Sequence, residues 1–171
     1  AVIGKEGRDI PVEEAESYIV GYTIMNDWSA RDILAQEMKV GLGPAKGKDF
    51  ATSLGPWIVT PDELKDRRSE KGYDLEMIAR RNGTEISHGN WKTIHYSFAD
   101  MIARASEDVT LYPGDVIGSG TVGTGCILEF GPDAVGGWLK SGDKVELEIE
   151  RLGTLANVIG EPAGAGASRS G

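Results

Sequence analysis

The chain has 171 residues, 40% of them apolar, enough for one domain with its own hydrophobic core. Its 24 glycines are too many for a helical bundle and follow no fixed period, which excludes bundle, collagen-like and solenoid architectures. Lys and Arg number 18 against 27 Asp and Glu, and the net charge of −9 excludes a nucleic-acid binder or a protein held on an anionic membrane.

Ala1 to Gly4 reads as the end of a buried strand whose partner lies upstream. Pro11 to Ile19 reads as a helix. Proline is tolerated in a first turn, and Glu13, Glu14 and Glu16 lie near the positive end of the helix dipole. Val20 to Met25 reads as a strand ending at Asn26-Asp27, and Ala30 to Met38 as a short helix. Val40 to Asp49 is a Gly- and Pro-containing loop that carries Lys46 and Lys48. Phe50 to Val59 is strand-like but broken at Gly55-Pro56, and Asp66 to Lys71 is a solvated charge run.

Asp74 to Arg80 and Thr84 to Ser87 flank Asn82-Gly83, a dipeptide that accepts positive φ at both positions and so predicts a two-residue hairpin. Ser97 to Ala105 is a helix with Phe98, Met101 and Ile102 on one face. Leu111 to Ile117 is a turn and strand, Gly118 to Gly125 a Gly/Ser/Thr loop, and Cys126 to Phe130 a strand. Val145 to Ile149 alternates as a half-buried strand, and the chain closes in a Gly/Ala/Ser-rich flexible tail over 161–171. One domain over residues 1–160 is expected, predominantly β with a few short helices.

Cys126 is the only cysteine, which excludes an intrachain disulfide and a Cys-based zinc site. No signal peptide is legible, and no run approaches the ~20 apolar residues of a membrane span. The expectation is a soluble, cytoplasmic protein.

The densest chemistry lies in Asn26-Asp27-Trp28-Ser29-Ala30-Arg31-Asp32, where an apolar strand ends in two carboxylates and a guanidinium. Asp27 is placed to ligate a hard cation, and Arg31 to hold a substrate carboxylate in a bidentate pair. The alternative is a strand-to-helix turn in which Asp27 or Ser29 caps the helix. Glu146, Glu148 and Glu150 also form a Glu-x-Glu series, but their period of two makes them the solvated face of a strand. His88 and His95, seven residues apart, lack helical metal spacing and read as surface or structural histidines. Cys126 reads as core, and Trp28, Trp57, Trp91 and Trp138 as core or interface anchors. The Gly118 to Gly125 loop lacks the lysine and following helix of a phosphate cradle.

Asn26 to Ile33 resembles the signature of the fumarylacetoacetate hydrolase family. Gly47-Lys48-Asp49-Phe50-Ala51-Thr52-Ser53-Leu54-Gly55-Pro56-Trp57 and Gly118-Ser119-Gly120-Thr121, with Glu129 eight residues on, extend the resemblance in family order. The resemblance implies a mixed β-roll of short twisted sheets, read here as the family's C-terminal catalytic domain without its N-terminal part. It implies that Asp27 ligates Mg²⁺, Mn²⁺ or Ca²⁺, with Lys48 and Thr52 beside the metal and Lys48 offsetting negative charge. By the same resemblance Arg31 and Thr121 contact substrate, and Glu129 helps a histidine activate water. Leu34, Met38 and Ala51 stand where relatives often carry Gln, Tyr and Gly, departures that bear on the substrate.

The family's remaining ligands, a Glu-x-Glu pair, and its catalytic histidine are expected upstream of Ala1. The implied activity is metal-dependent hydrolysis of a C–C bond in a small anionic 2-oxo or 1,3-dioxo acid, in a homodimer. Decarboxylation, isomerisation or dehydration of 2-oxo acids on the same site is the alternative, and a non-catalytic binding protein of the same fold is the alternative of another class.

Overall fold

A computed structural model describes residues 1–161; all of the predicted tail beyond Glu161 lies outside the described residues. Strand β1 (Val2–Ile3) is followed by helix α1 (Val12–Ala15), which tightens into a 3-10 turn through Tyr18. Strand β2 (Ile19–Asp27) then pairs antiparallel with β1, through Val2–Gly21 and Ile3–Ile19. The partner of β1 is thus downstream, correcting the expectation. The predicted helix ends before Ile19 because that residue is needed, buried, in the strand.

Helix α2 (Arg31–Glu37) forms as expected. The following loop is not wholly irregular, since Lys46–Asp49 closes into a helical turn, α3. Strand β3 (Thr52–Val59) runs through Gly55-Pro56 rather than breaking there. Its antiparallel register with β2 shifts between Tyr22 and Ile24, and that irregularity absorbs the pair. Strands β1, β2 and β3 make one sheet in that order.

Asp66, Arg67 and Arg68 are not simply solvated. The Arg67 guanidinium holds both Glu150 oxygens at 2.8 and 2.9 Å, Asp66 pairs with Arg151, and Arg68 with Glu16. Between them and Pro61, Leu64 is fully buried, so this segment is pinned to the core.

Strands β4 (Glu76–Arg81) and β5 (Thr84–Asn90) form the predicted hairpin, and Asn82 and Gly83 take φ of 51° and 80°, as the turn requires. Helix α4 (Phe98–Ser106) opens on a capping box, in which Ser97 accepts the Asp100 N–H while Asp100 accepts the Ser97 N–H. Ile102 buries completely on its inner face. Cys126 to Phe130 is not a strand: Ile127–Phe130 is a helical turn, α5, bounded by Gly131 at φ 77°. Five residues between Gly125 and Gly131, apolar but for Glu129, do not discriminate the two forms. Strands β6 (Lys144–Ile149) and β7 (Gly153–Val158), the latter without a sequence signal, complete a second antiparallel sheet in the order β5-β4-β6-β7. The class is α+β, with helical and extended segments in comparable share rather than β predominant.

The two sheets meet where the start of β7 lies against β3: a Cβ at Gly153 would sit 2.7 Å from the Trp57 ring. Beneath them Ile3, Leu64, Leu75, Ile102 and Leu152 form the core. Tyr22, Tyr73, Trp91 and Phe98 add edge-to-face and tilted aromatic contacts at 4.9–5.9 Å between centroids. Burial, with Tyr73 beside it, pushes the Tyr22 phenol well above its ordinary pKa. Trp91 is thus a core anchor, whereas Trp57 and Trp138 stay exposed. Among the described residues no helix is long and apolar enough to cross a membrane.

Arg81 and Asp143 form a buried ion pair at 2.6 Å. Hydrogen bonds from Asn82, from the Lys140 N–H and from Arg81 hold the Asp143 carboxyl down to about 2, against an ordinary 3.8. A depressed carboxyl pKa stabilises the fold above the unfolded value, and that stabilisation is lost as pH falls from 3.8 towards 2. Carboxyl-carbon NMR of Asp143 is expected to show a midpoint near 2, and a midpoint close to 3.8 would contradict it.

Candidate functional site

β2 and β3 carry the first part of the site. Their register sets Asp27 directly opposite Thr52, at the end of the ribbon. α3 leads into β3 and aims Lys48 back across it, so that its Nζ donates to Asp27 Oδ2 at 2.5 Å. The pair is only partly shielded, with side-chain exposures of 30% and 44%. Trp28 turns its Nε1 to Ser53 Oγ at 2.8 Å, a second tie between the strands.

Neither Asp27 nor Ser29 caps α2. The N-cap residue is Ala30, with no side-chain bond, and the Ser29 hydroxyl donates to the Asp27 carbonyl instead. The Asp27 carboxylate is thereby left for Lys48. Arg31 opens α2 and donates from Nη2 to Cys126 Sγ at 3.0 Å. Cys126 is therefore half-buried beside a guanidinium rather than sunk in the core. That contact ties the Asn26–Asp32 segment to the loop preceding α5.

Thr121 lies in that loop, on the wall of a cavity of about 320 Å³ also lined by Tyr22, Trp91, His95, Met101 and Ser119. Glu129, on α5, accepts the Thr124 N–H at 2.6 Å through Oε2, and so closes the loop on itself. The structure thus joins Asp27, Lys48 and Thr52 in one cluster and ties Arg31 to Cys126. Glu129 engages Thr124, and makes no hydrogen bond to Asp27 or Lys48. His88 is exposed, near Glu85 and Glu76, while His95 is exposed and stacks edge-on to Tyr96. Each glutamate of the Glu146–Glu150 series faces a cation: Lys144, Arg80 and Arg67 respectively.

Asp27 suits a hard cation in kind but not in number. Such ions take six or more oxygens, whereas among the described residues no three His, Cys, Asp or Glu side chains come together to hold one. One contact beside this cluster escaped sequence reasoning. Glu37 accepts the backbone N–H groups of Ala45, Lys46 and Gly47 at 2.9, 2.7 and 3.3 Å. No local pattern signals it, because the intervening loop sets the approach.

A carboxylate–ammonium pair thus lies at the end of the β2–β3 ribbon, with a guanidinium at the start of the adjoining helix. The family model for the fumarylacetoacetate (FAA) hydrolase C-terminal domain matches residues 1–160. Over 163 residues the chain is 39% identical to 2,4-didehydro-3-deoxy-L-rhamnonate hydrolase of Sphingomonas sp. (strain SKA58), covering 94% of this chain and 53% of that protein. It is 38% identical over 161 residues to a mitochondrial oxaloacetate tautomerase of Homo sapiens, covering 92% and 48%. A solved 5-carboxymethyl-2-hydroxymuconate delta-isomerase from Mycobacterium smegmatis superposes with a TM-score of 0.71 at 34% identity, covering 93% of this chain and 55% of the other. The chain belongs to the fumarylacetoacetate hydrolase family, and spans about half the length of the curated relatives it matches.

Proposed function

We propose that this chain supplies part of the active site of a divalent-cation-dependent enzyme acting on a small 2-oxo or 1,3-dioxo acid, with C–C bond hydrolysis as its reaction. The observation that carries the reading is the Lys48–Asp27 pair facing Thr52 at the end of the β2–β3 ribbon, inside a chain matched by the family model over residues 1–160. Asp27 is one oxygen ligand, and the remaining ligands belong to the part of the relatives' length that this chain does not span. Mg²⁺, Mn²⁺ or Ca²⁺ bound there would polarise a substrate carbonyl and stabilise enolate charge.

Arg31 offers a guanidinium for the substrate carboxylate from the first turn of α2. Lys48 adds positive charge in a protein of net charge −9 and limits repulsion between Asp27 and an anionic ligand. Thr121 contributes a hydroxyl from the cavity wall. Glu129 keeps Oε2 on the Thr124 N–H, so Oε1 is the oxygen with which it takes a proton or orients water.

Isomerisation or tautomerisation on the same residues is the second reading, favoured by the tautomerase and isomerase among the relatives. The test is made on the complete gene product, with Mg²⁺ or Mn²⁺ present or chelated. Acylpyruvates, oxaloacetate and 2-keto-3-deoxy acids are followed by ultraviolet absorbance. Metal-dependent loss of a substrate with two acid products supports hydrolysis. Keto–enol or double-bond exchange without cleavage supports the second reading. Turnover that persists unchanged without metal sinks the metal-dependent readings, and no turnover across the set, with metal present or chelated, leaves a non-catalytic binding protein.

A further inference from the structure

We infer that Glu37 is a positioning residue: its carboxylate clamps the start of α3 so that Lys48 is delivered to Asp27. The inference rests on the proposed role of the Lys48–Asp27 pair in the site. Glu37 is the last residue of α2, whose first residue is Arg31. Its Oε2 accepts the Ala45 N–H at 2.9 Å and the Gly47 N–H at 3.3 Å, and its Oε1 the Lys46 N–H at 2.7 Å. These are first-turn amides of α3, which an isolated helical turn leaves without acceptors. No residue of the turn caps it from its own N-cap position, where Ala45 stands. The clamp therefore comes from outside, across a loop of exposed residues that includes Val40 and Leu42.

A separate contact shows how little freedom α3 has. Gly47 is buried against α2, its carbonyl accepts the Ala30 N–H at 2.9 Å, and a Cβ there would lie 2.6 Å from Leu34 Cγ. The Ala30 bond and the Leu34 contact hold the middle of the turn, and Glu37 holds its beginning. Lys48, the next residue, inherits both constraints. Three charge-assisted bonds from backbone donors form a rigid anchor, unlike a flexible ion pair. The N–H of Ala45, followed by those of Gly47 and Lys46, keeps the Glu37 carboxyl below its ordinary range. Arg31 and Lys48, the two cations offered to the ligand, are thus set by opposite ends of one short helix.

The test compares Glu37→Ala, Glu37→Gln, Lys48→Ala and the Glu37→Ala/Lys48→Ala double variant of the complete gene product. The side-chain ammonium of Lys48, slowed in exchange by Asp27, is followed by ¹H–¹⁵N NMR, with amide exchange at Ala45, Lys46 and Gly47. Glu37→Ala is expected to erase the Lys48 ammonium signal, speed exchange at all three amides and lower kcat roughly 100-fold, the scale of an ångström-sized misplacement. Glu37→Gln keeps one oxygen acceptor and restores part of both readouts. In the Lys48→Ala background, loss of Glu37 is expected to cost nothing more in kcat. A Lys48 signal that survives in Glu37→Ala, or losses that multiply in the double variant, would overturn the inference. Unchanged turnover in Lys48→Ala alone would instead remove the proposed role of Lys48, and the NMR readout would still decide whether Glu37 positions it.

Discussion

Exchange of Arg81 for methionine is expected to destabilise the fold by about 3–5 kcal/mol, the usual cost of breaking a buried ion pair from one side. Arg81 is 8% exposed, and its two terminal nitrogens reach four acceptors. Nη1 donates to the carbonyls of Val135 and Gly137 at 3.1 and 2.8 Å; Nη2 donates to the Trp138 carbonyl at 3.2 Å and to Asp143 at 2.6 Å. Methionine fills much of the volume but supplies none of these donors. Asp143 is then left charged and 3% exposed, with only the Asn82 and Lys140 donors. Lysine at the same position keeps the charge but not the planar fork, so Arg81→Lys is expected to fall between wild type and Arg81→Met. Removing both charges, in Arg81→Met/Asp143→Leu, is expected to recover part of the loss. Urea unfolding reads all three, and a loss below about 1 kcal/mol in Arg81→Met would rule out the buried-pair account.

In the complete gene product, Asp27→Ala is expected to reduce divalent-cation affinity and turnover together, by at least about 100-fold, the upper end of what loss of an outer-sphere partner alone costs. The fold should hardly notice. Asp27 is 44% exposed and its pairing with Lys48 is partly solvated, so the stability change is expected within about 1 kcal/mol. This separates a ligand from a structural residue. Asp27→Asn sharpens the point, since it keeps an oxygen and the shape of the side chain while removing the charge that a hard cation needs. Calorimetric titration of Mn²⁺, run beside thermal denaturation, measures both quantities. An Asp27→Ala protein that binds metal as the wild type does would falsify the assignment of this residue as a ligand.

Where local chemistry is sufficient, the sequence is a faithful guide. Asn82-Gly83 specifies its hairpin because few other residue pairs accept positive φ twice in succession. Ser97 and Asp100 specify where α4 begins because each satisfies a backbone donor of the other. The alternation from Val145 to Ile149 specifies β6, and the segment from Asn26 to Ile33 marks the family before any coordinate is known. Elements failed where local signals are weak or shared. Ile127 to Phe130 is too short for its period to separate helix from strand, and β7 gains its identity by pairing with β6 from Lys144–Val158 to Ile149–Gly153.

Asp27 was legible as a candidate ligand from its neighbours in the chain. Its partnership with Lys48 is 21 residues distant, Arg31 meets Cys126 across 95, and Arg81 meets Asp143 across 62. A sequence determines by itself whatever depends on backbone conformation over a few residues: the turns, the caps and the chemical character of each segment. Which charge meets which is decided only when sheets and loops close, because an ion pair depends on distance in space and carries no trace of its partner along the chain. For this protein the family and the candidate ligand were written locally. The clamp of Glu37 on α3, and the buried Arg81–Asp143 pair, came only with the tertiary structure.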